Sequence, residues 1–224
     1  CNYVVLDEAQ AKAQAGQIGS VLCHTEPGRY IRLMAALSGA SAMDWARREI
    51  FCGEPYPRLE EQISKIPIGS EGVLFHPYLY GERAPFRNAD ASGGFFGLRA
   101  CHTKYHMARA VFEGVALSLY DCYQSLPAGQ NGFVVAGGAA KSDLVCRMMC
   151  DCMGEKTVRY REKELGILGV VSLLQTATGC EKHGREEEKD LFIPDMEKHQ
   201  EYRKLYERFC AAKEAIAPQW GKGK

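Results

Sequence analysis

Residues 133–154 read FVVAGGAAKSDLVCRMMCDCMG. Four apolar residues, Phe133-Val134-Val135-Ala136, run straight into Gly137-Gly138. A helical pattern follows, with Ser142 placed to cap it and Gly154 placed to close it. The stretch predicts a strand, a glycine turn and a helix. Glycines let a ligand lie against bare backbone, and a helix start offers unpaired N–H groups and a positive dipole end. The pattern is therefore one way to build an anion or nucleotide site. Taken alone, it is equally a tight connection. The Gly-Lys-Ser/Thr of a Walker loop is lacking, and so is Gly-x-Gly-x-x-Gly spacing.

The rest of the chain sets the context for that turn. Three strands are predicted at the start, at 2–6, 18–25 and 30–34, with Glu26-Pro27-Gly28-Arg29 as the turn between the last two. Their order suggests a meander. A helix capped by Ser38 or Ser41 follows, using Met43, Trp45, Ala46 and Ile50 as apolar positions. Residues 53–69 hold three prolines and a short helix at 58–65. Residues 72–80 form an apolar run that enters a long irregular stretch at 81–98. Long ordered loops tend to be functional. Thr103 caps a long helix through Ala108, Val111, Phe112, Val115, Leu119, Cys122 and Leu126, ended by Pro127 and Gly129. Past the opening stretch come a strand at 157–160, a helix at 167–178, a polar connection at 181–189 and an amphipathic helix at 197–217. Strands first, then alternating strand and helix, predict an α/β domain with a mixed sheet flanked by helices. No linker divides the chain, so residues 1–224 read as one domain.

Charge narrows the partners. Twenty-eight basic and 28 acidic residues cancel, which argues against binding nucleic acid or an anionic membrane through bulk charge. No apolar run is long enough to span a bilayer, and no secretory signal is visible. Ten cysteines scatter through apolar and helical patterns without a Cys-x-x-Cys pair, so reduced buried thiols are expected, not disulfides or zinc. The first residue is Cys1, already in a strand pattern, and the chain is expected to begin inside a longer protein.

Other candidate groups have plain readings beside functional ones. His102 and His106 stand four apart, but no neighbouring glutamate completes a zincin pattern, so no metal site is assigned. Glu113-Gly114 reads either as a polar position beside a packing glycine or as a helix pressed on the glycine turn. Glu82, Arg83 and Arg87 read either as a solvated ion pair or as loop-ordering groups near a ligand. Trp45 reads as core. No Ser-His-Asp set and no convincing carboxylate pair appear, so a catalytic group is expected outside the chain.

Several motifs in order resemble the C-terminal domain of the FGGY carbohydrate kinases. Gly93-Gly94-Phe95-Phe96-Gly97-Leu98, seven residues, then His106-Met107-x-x-Ala110-Val111-Phe112-Glu113 is similar to that family's signature. The loop FHPYLYGERAPFRNADASGGFFGL, the segment GGAAKSDLVCRMMCDCMG and Glu164-x-Gly166-x-x-Gly169-Val170-Val171 resemble segments around it. Pro27-Gly28-Arg29-Tyr30 and Ser38-Gly39-Ala40-x-x-x-Asp44-Trp45 fall in family order. The resemblance implies an actin-like, ribonuclease-H-like ATPase fold. It implies ATP and Mg²⁺ as cofactors, with Gly137, Gly138, Ala139, Ser142, Gly39, Ala40 and Asp44 at the nucleotide. The general-base aspartate and a Gly-Thr phosphate turn would lie upstream of Cys1, and the sugar or polyol would be held mainly by an N-terminal domain. A pentulose such as xylulose is favoured, with gluconate or a tetritol as alternatives, in a cytoplasmic kinase whose assembly state, a homodimer included, stays open. The other functional reading is a non-catalytic actin-like nucleotide-binding or regulatory module. Two departures stand out. Ala136 replaces the first glycine of the usual Gly-Gly-Gly-Ala. Val170-Val171 replace smaller residues and are expected to tighten the adenine pocket wall.

Overall fold

A computed structural model describes residues 2–127, 132–161, 165–179 and 188–222. Gly129, Glu164, the 181–187 part of the polar connection and Cys1 lie outside the described residues.

The first sheet holds β1 (Asn2–Asp7), β2 (Ser20–Cys23) and β3 (Arg29–Met34), all antiparallel, in the order β1-β3-β2. It is not the sequential meander expected. A helix, α1 (Glu8–Ala13), follows β1 and lets β3 take the centre. Six polar and alanine residues give α1 no apolar period, but a capping box marks it. Asp7 accepts from the Gln10 N–H at 2.8 Å, and the Gln10 side chain accepts from the Asp7 N–H at 3.1 Å.

Helix α2 (Ala40–Glu49) starts at Gly39, without a side-chain cap from Ser38 or Ser41. Helix α3 (Tyr56–Ile63) begins on Pro55, two residues before the expected start. The stretch predicted as irregular contains β5 (Gly94–Phe96), paired antiparallel to β4 (Leu74–His76). Three residues led by a glycine offer too little alternation to read as a strand.

Helix α4 (Lys104–Gln124) is the axis of the core. Thr103 and His106 form its capping box. Residues 108–118 are all buried, so the helix is wrapped on every side instead of presenting one stripe. It packs against β4 and against α2 and α3. On its other flank lie α5 (Asp143–Met153) and α7 (Met196–Ile216). At Gly114 the close neighbour is β4, not the glycine turn. A Cβ there would stand 2.2 Å from the Phe75 carbonyl oxygen.

Charged groups along this helix are paired. Arg109 Nε donates to Glu113 Oε1 at 2.6 Å, and Glu113 accepts the Gly69 N–H at 3.1 and 3.2 Å. Gly69 opens a left-handed turn in which Ser70 and Glu71 have φ of 48° and 53°. Each costs on the order of 1 kcal/mol or more, offset by anchors on α4 such as the bond from the Ser70 hydroxyl to the His106 carbonyl. Near the other end of α4, Asp121 accepts from Tyr206 Oη at 2.5 Å and Lys213 Nζ at 2.7 Å of α7.

The last sheet is mixed. β6 (Phe133–Val135) runs parallel to β7 (Thr157–Tyr160), joined through α5, and β8 (Lys189–Phe192) returns antiparallel to β7. β8 starts in the stretch expected to be a polar connection, and its Lys-Asp start hides it in the sequence. Helix α6 (Leu165–Thr178) buries none of its residues. The eight described cysteines are all free. Among the described residues no helix is long and apolar enough to cross a membrane.

Two outcomes follow from the packing. Gly114→Ala gains about 1 kcal/mol in helix propensity but drives a methyl into a backbone oxygen. We expect a net loss of about 2 kcal/mol or more, read by urea unfolding. His76 is fully buried, with Nε2 3.0 Å from the Phe209 carbonyl, and burial pulls its imidazole down to about 4. The unfolded histidine, near 6.5, then binds the extra proton, so stability falls as pH drops from about 6.5 to 4, by about 3 kcal/mol. His76→Phe should flatten that acid limb in urea titrations at several pH values.

Candidate functional site

Five of the seven sequence-predicted site residues line one cleft of about 470 Å³. Ala40 and Asp44 stand on the α2 side. Gly138, Ala139 and Ser142 stand on the opposite side, at the glycine turn and the start of α5. Gly39 is the N-cap of α2, next to Ala40. Gly137 lines an adjoining hollow of about 720 Å³, and Gly138 and Lys141 border both.

The turn has this shape for local reasons. Gly137 sits at φ 76° and ψ −152°, a region closed to residues with a Cβ. Residues Gly138–Lys141 make a single tight helical turn before Ser142. The Ser142 hydroxyl then accepts the Val145 N–H at 3.1 Å and caps α5. A Cβ on Gly39, Gly137 or Gly138 would meet nothing within 4 Å. By contrast, Gly81, Gly97, Gly114 and Gly132 lie against neighbouring backbone. Packing therefore explains the second group, and open space beside bare backbone characterises the first.

A guanidinium network stiffens the turn from below. Arg159 on β7 donates to the Ala140 carbonyl at 3.1 Å, to Asp143 at 2.6 Å and to Asp190 at 2.6 Å. Arg161 holds the other Asp190 oxygen at 2.8 Å. The Arg161 and Arg159 guanidiniums hold the Asp190 carboxyl down at about 2. The turn is thus tied to α5 and to two strands.

The cleft interior is apolar with a polar rim. Met43, Phe112 and Val145 supply apolar walls, and Tyr56 stands edge-on to Phe112 with ring centres 6.3 Å apart. Tyr56 Oη donates to Asp44 Oδ1 at 2.6 Å, and the Arg47 guanidinium lies 5.4 Å from its ring centre. Burial first, and then the Asp44 carboxylate, push the Tyr56 phenol well above its usual range, so it stays a donor. Apolar walls with a few convergent polar groups suit a flat heterocycle. The starts of α2 and α5 both border the cleft, and that favours an anionic neighbour.

Sequence reasoning missed Tyr56 and Phe112. Tyr56 lies in a proline-rich run, and Phe112 counted only as a core position of α4. Trp45 is half-buried against the core, as expected. Val170 and Val171 do not wall the cleft. They are 56% and 42% exposed, and α6 reaches the adjoining hollow only through Leu165 and Gly166. His106 Nδ1 accepts the Thr103 N–H, and His102 Nδ1 accepts the Arg99 N–H, so both serve local turns. Glu82 forms no solvated ion pair with Arg83. It is 1% exposed and holds backbone N–H groups.

Comparisons with known proteins agree on the family. The profile described as the C-terminal domain of the FGGY family of carbohydrate kinases matches residues 6–178. A gluconokinase of Bacillus subtilis is 34% identical over 75% of this chain and 36% of its own length. A xylulose kinase of Staphylococcus epidermidis is 30% identical over 88% of this chain and 40% of its own. A solved xylulose kinase from Lactobacillus acidophilus superposes with TM-score 0.86 at 28% identity, covering 99% of this chain and 46% of that one. A gluconate kinase from the same organism gives 0.85 at 28%, with the same coverage. The chain spans less than half the length of the curated relatives it matches. Its fold is the actin-like α/β fold of these kinases, with a mixed sheet flanked by helices.

Two substitutions separate open backbone from scaffold. The Cβ that Gly138→Val adds meets no neighbour within 4 Å, so its unfolding free energy should stay within about 0.5 kcal/mol of the parent. Ser142→Ala removes a cap and should cost about 1 kcal/mol. Urea denaturation reads both.

Proposed function

The chain belongs to the FGGY family of carbohydrate kinases, and from that premise we propose that it forms the nucleotide-binding half of an ATP-dependent kinase acting on a sugar or polyol hydroxyl. The observation that carries the reading is the cleft itself. Ala40 and Asp44 meet Gly138, Ala139 and Ser142 there, although long stretches of sequence separate the two groups. Gly39 and Gly137 complete the set at its edges. In this reading the base and ribose occupy the apolar cleft beside Tyr56 and Phe112. The bare backbone at Gly137 and Gly138 faces the nucleotide, and the starts of α2 and α5 bias the site toward its charged end.

Among the described residues no group of three or more His, Cys, Asp and Glu side chains comes together. Mg²⁺ would accompany the nucleotide phosphates, which are its customary ligands. The general base and the sugar contacts are assigned to the other half of the kinase. Residues 1–224 then act as one domain that grips ATP and closes on substrate. Phosphoryl transfer depends mainly on positioning and electrostatics, so holding the nucleotide rigidly is a catalytic contribution.

For substrate, a pentulose such as xylulose is favoured, although the Tyr80-Gly81-Glu82-Arg83-Ala84-Pro85 loop resembles those of xylulose-type and gluconate-type kinases alike and tetritol kinases have similar loops. Gluconate is the second reading, since relatives named gluconokinase stand at 31% and 34% identity beside xylulose kinases at 30%. The nucleotide half does not choose between them when the sugar is held elsewhere. A cytoplasmic site of action fits ATP-dependent sugar phosphorylation, and balanced charge gives no reason to invoke nucleic acid or membrane. A homodimer is a compatible assembly.

Calorimetry on the 224-residue chain should show ADP binding, weakened at least tenfold in Gly138→Val. Coupled assays of the same chain with ATP and xylulose, gluconate or erythritol should show no turnover. Failure to bind ADP overturns the nucleotide reading, and turnover by the chain alone overturns the division of labour. The full-length protein assayed on the same three acceptors then decides the substrate.

A further inference from the structure

We infer that the dipeptide Glu82-Arg83, which lines neither hollow, is a positioning element for the α2 wall of the cleft. Nucleotide affinity would then depend on a carboxyl group outside the binding site. The inference rests on the nucleotide reading above.

The argument begins with the segment that needs holding. β3 ends at Met34 and α2 begins at Ala40, and the residues between form neither strand nor helix. Gly39 gives α2 no side-chain cap. The start of α2 is therefore not fixed by its own end chemistry, yet Ala40, Met43 and Asp44 form one wall of the cleft. Backbone groups in such a connection need partners. Two of them find partners on consecutive residues of a distant loop. The Leu37 N–H donates to Glu82 Oε1 at 2.8 Å, and Arg83 Nε donates to the Ala35 carbonyl at 3.0 Å. One residue accepts and the next donates, so the connection is gripped in both polarities.

The gripping loop is itself fixed. Glu82 exchanges both backbone hydrogen bonds with Asn88, each at 2.8 Å. Its Oε1 also accepts the Arg83 N–H at 2.9 Å. The Ala84 carbonyl accepts the Cys122 thiol at 3.2 Å, which ties the loop to α4. Contacts thus run from α4 through Ala84 and Glu82 to Leu37 and on to the start of α2. Glu82 is 1% exposed, and its Oε2 has no hydrogen-bond partner among the described residues. Burial raises its carboxyl, while the Leu37 and Arg83 amides pull it back. Burying a carboxyl is costly even with the Arg83 charge beside it, and a purely space-filling role would be met better by an apolar side chain. What the carboxyl supplies here is an acceptor for backbone N–H groups.

The test uses the 224-residue chain, ADP as probe, and hydrogen–deuterium exchange over residues 35–44. Glu82→Leu removes the acceptor at similar volume. It should raise exchange in 35–44 at least tenfold without nucleotide and weaken ADP at least tenfold. Glu82→Gln keeps an amide oxygen for the Leu37 N–H and should stay within threefold of the parent on both readouts. Arg83→Met alters an exposed side chain, folds regardless of Glu82→Leu, and should weaken ADP about three- to tenfold. Tyr206→Phe, on α7, serves as a comparison for general loss of stability and should leave ADP affinity unchanged. Parental exchange in both Glu82→Leu and Arg83→Met overturns the clamp, whatever ADP does. Should Glu82→Leu not fold, parental exchange or affinity in Arg83→Met alone overturns it. Altered exchange with parental affinity overturns the link to the cleft, as does an affinity loss matched by Tyr206→Phe. Absence of ADP binding by the parent, with exchange altered as expected, overturns the nucleotide reading instead and leaves the clamp standing.

Discussion

A charge pair sealed inside α4 holds the rest of the molecule in register. Arg109 and Glu113 meet at 2.6 Å with side chains 8% and 2% exposed. Burial pushes the Glu113 carboxyl up, and the adjacent guanidinium and the Gly69 N–H oppose that shift. Taking two charges out of water costs several kcal/mol each, repaid only when geometry and further hydrogen bonds are good. Here they are. Arg109 Nη2 donates to Tyr202 Oη on α7 at 3.2 Å, and Glu113 holds the left-handed turn that feeds β4. One ion pair therefore joins α4, α7 and the β4 strand. Removing either partner would strand the other charge in the core, and replacing both would release the turn.

The cleft inherits its precision from this frame. α4 carries Phe112 to the cleft, and its close approach to β4 at Gly114 sets how deep that ring sits. α5 brings Ser142 and Val145 to the opposite wall, while Arg159 and Asp190 pin the glycine turn to the mixed sheet. A site that discriminates by position needs walls that do not move with thermal motion of a loop. The two glycines are free of neighbours because the elements around them are not.

Much of this was legible in the chain. Gly137, Gly138, Ser142 and Gly154 announced a strand, turn and capped helix, because φ above zero and N-cap chemistry are each met by few residue types. The long helix after Thr103 was equally clear. What went unread were elements without a period. α1 has six polar and alanine residues, β5 has three led by glycine, and β8 opens on Lys-Asp. The cap of α2 was misassigned to a serine, since a hydroxyl near a helix start is the commoner solution and Gly39 leaves no side chain to see. Glu82 and Arg83 could be read either as a solvated pair or as loop-ordering groups, because adjacent opposite charges in a loop fit both.

By itself, the sequence determined the glycine turn, the capped helix that follows it and the long helix after Thr103. Those depend on local terms: backbone conformations open to glycine, side-chain caps and apolar spacing. Only the tertiary structure decided which distant segments meet. It placed Ala40 and Asp44 opposite Gly138 and Ser142, put Tyr56 and Phe112 between them, turned Gly114 toward β4 and buried Glu82 under the entry to α2. Such contacts have no signature within a window of sequence. They arise when burying apolar surface brings distant segments together, and most polar groups enclosed with it must then find partners on those segments.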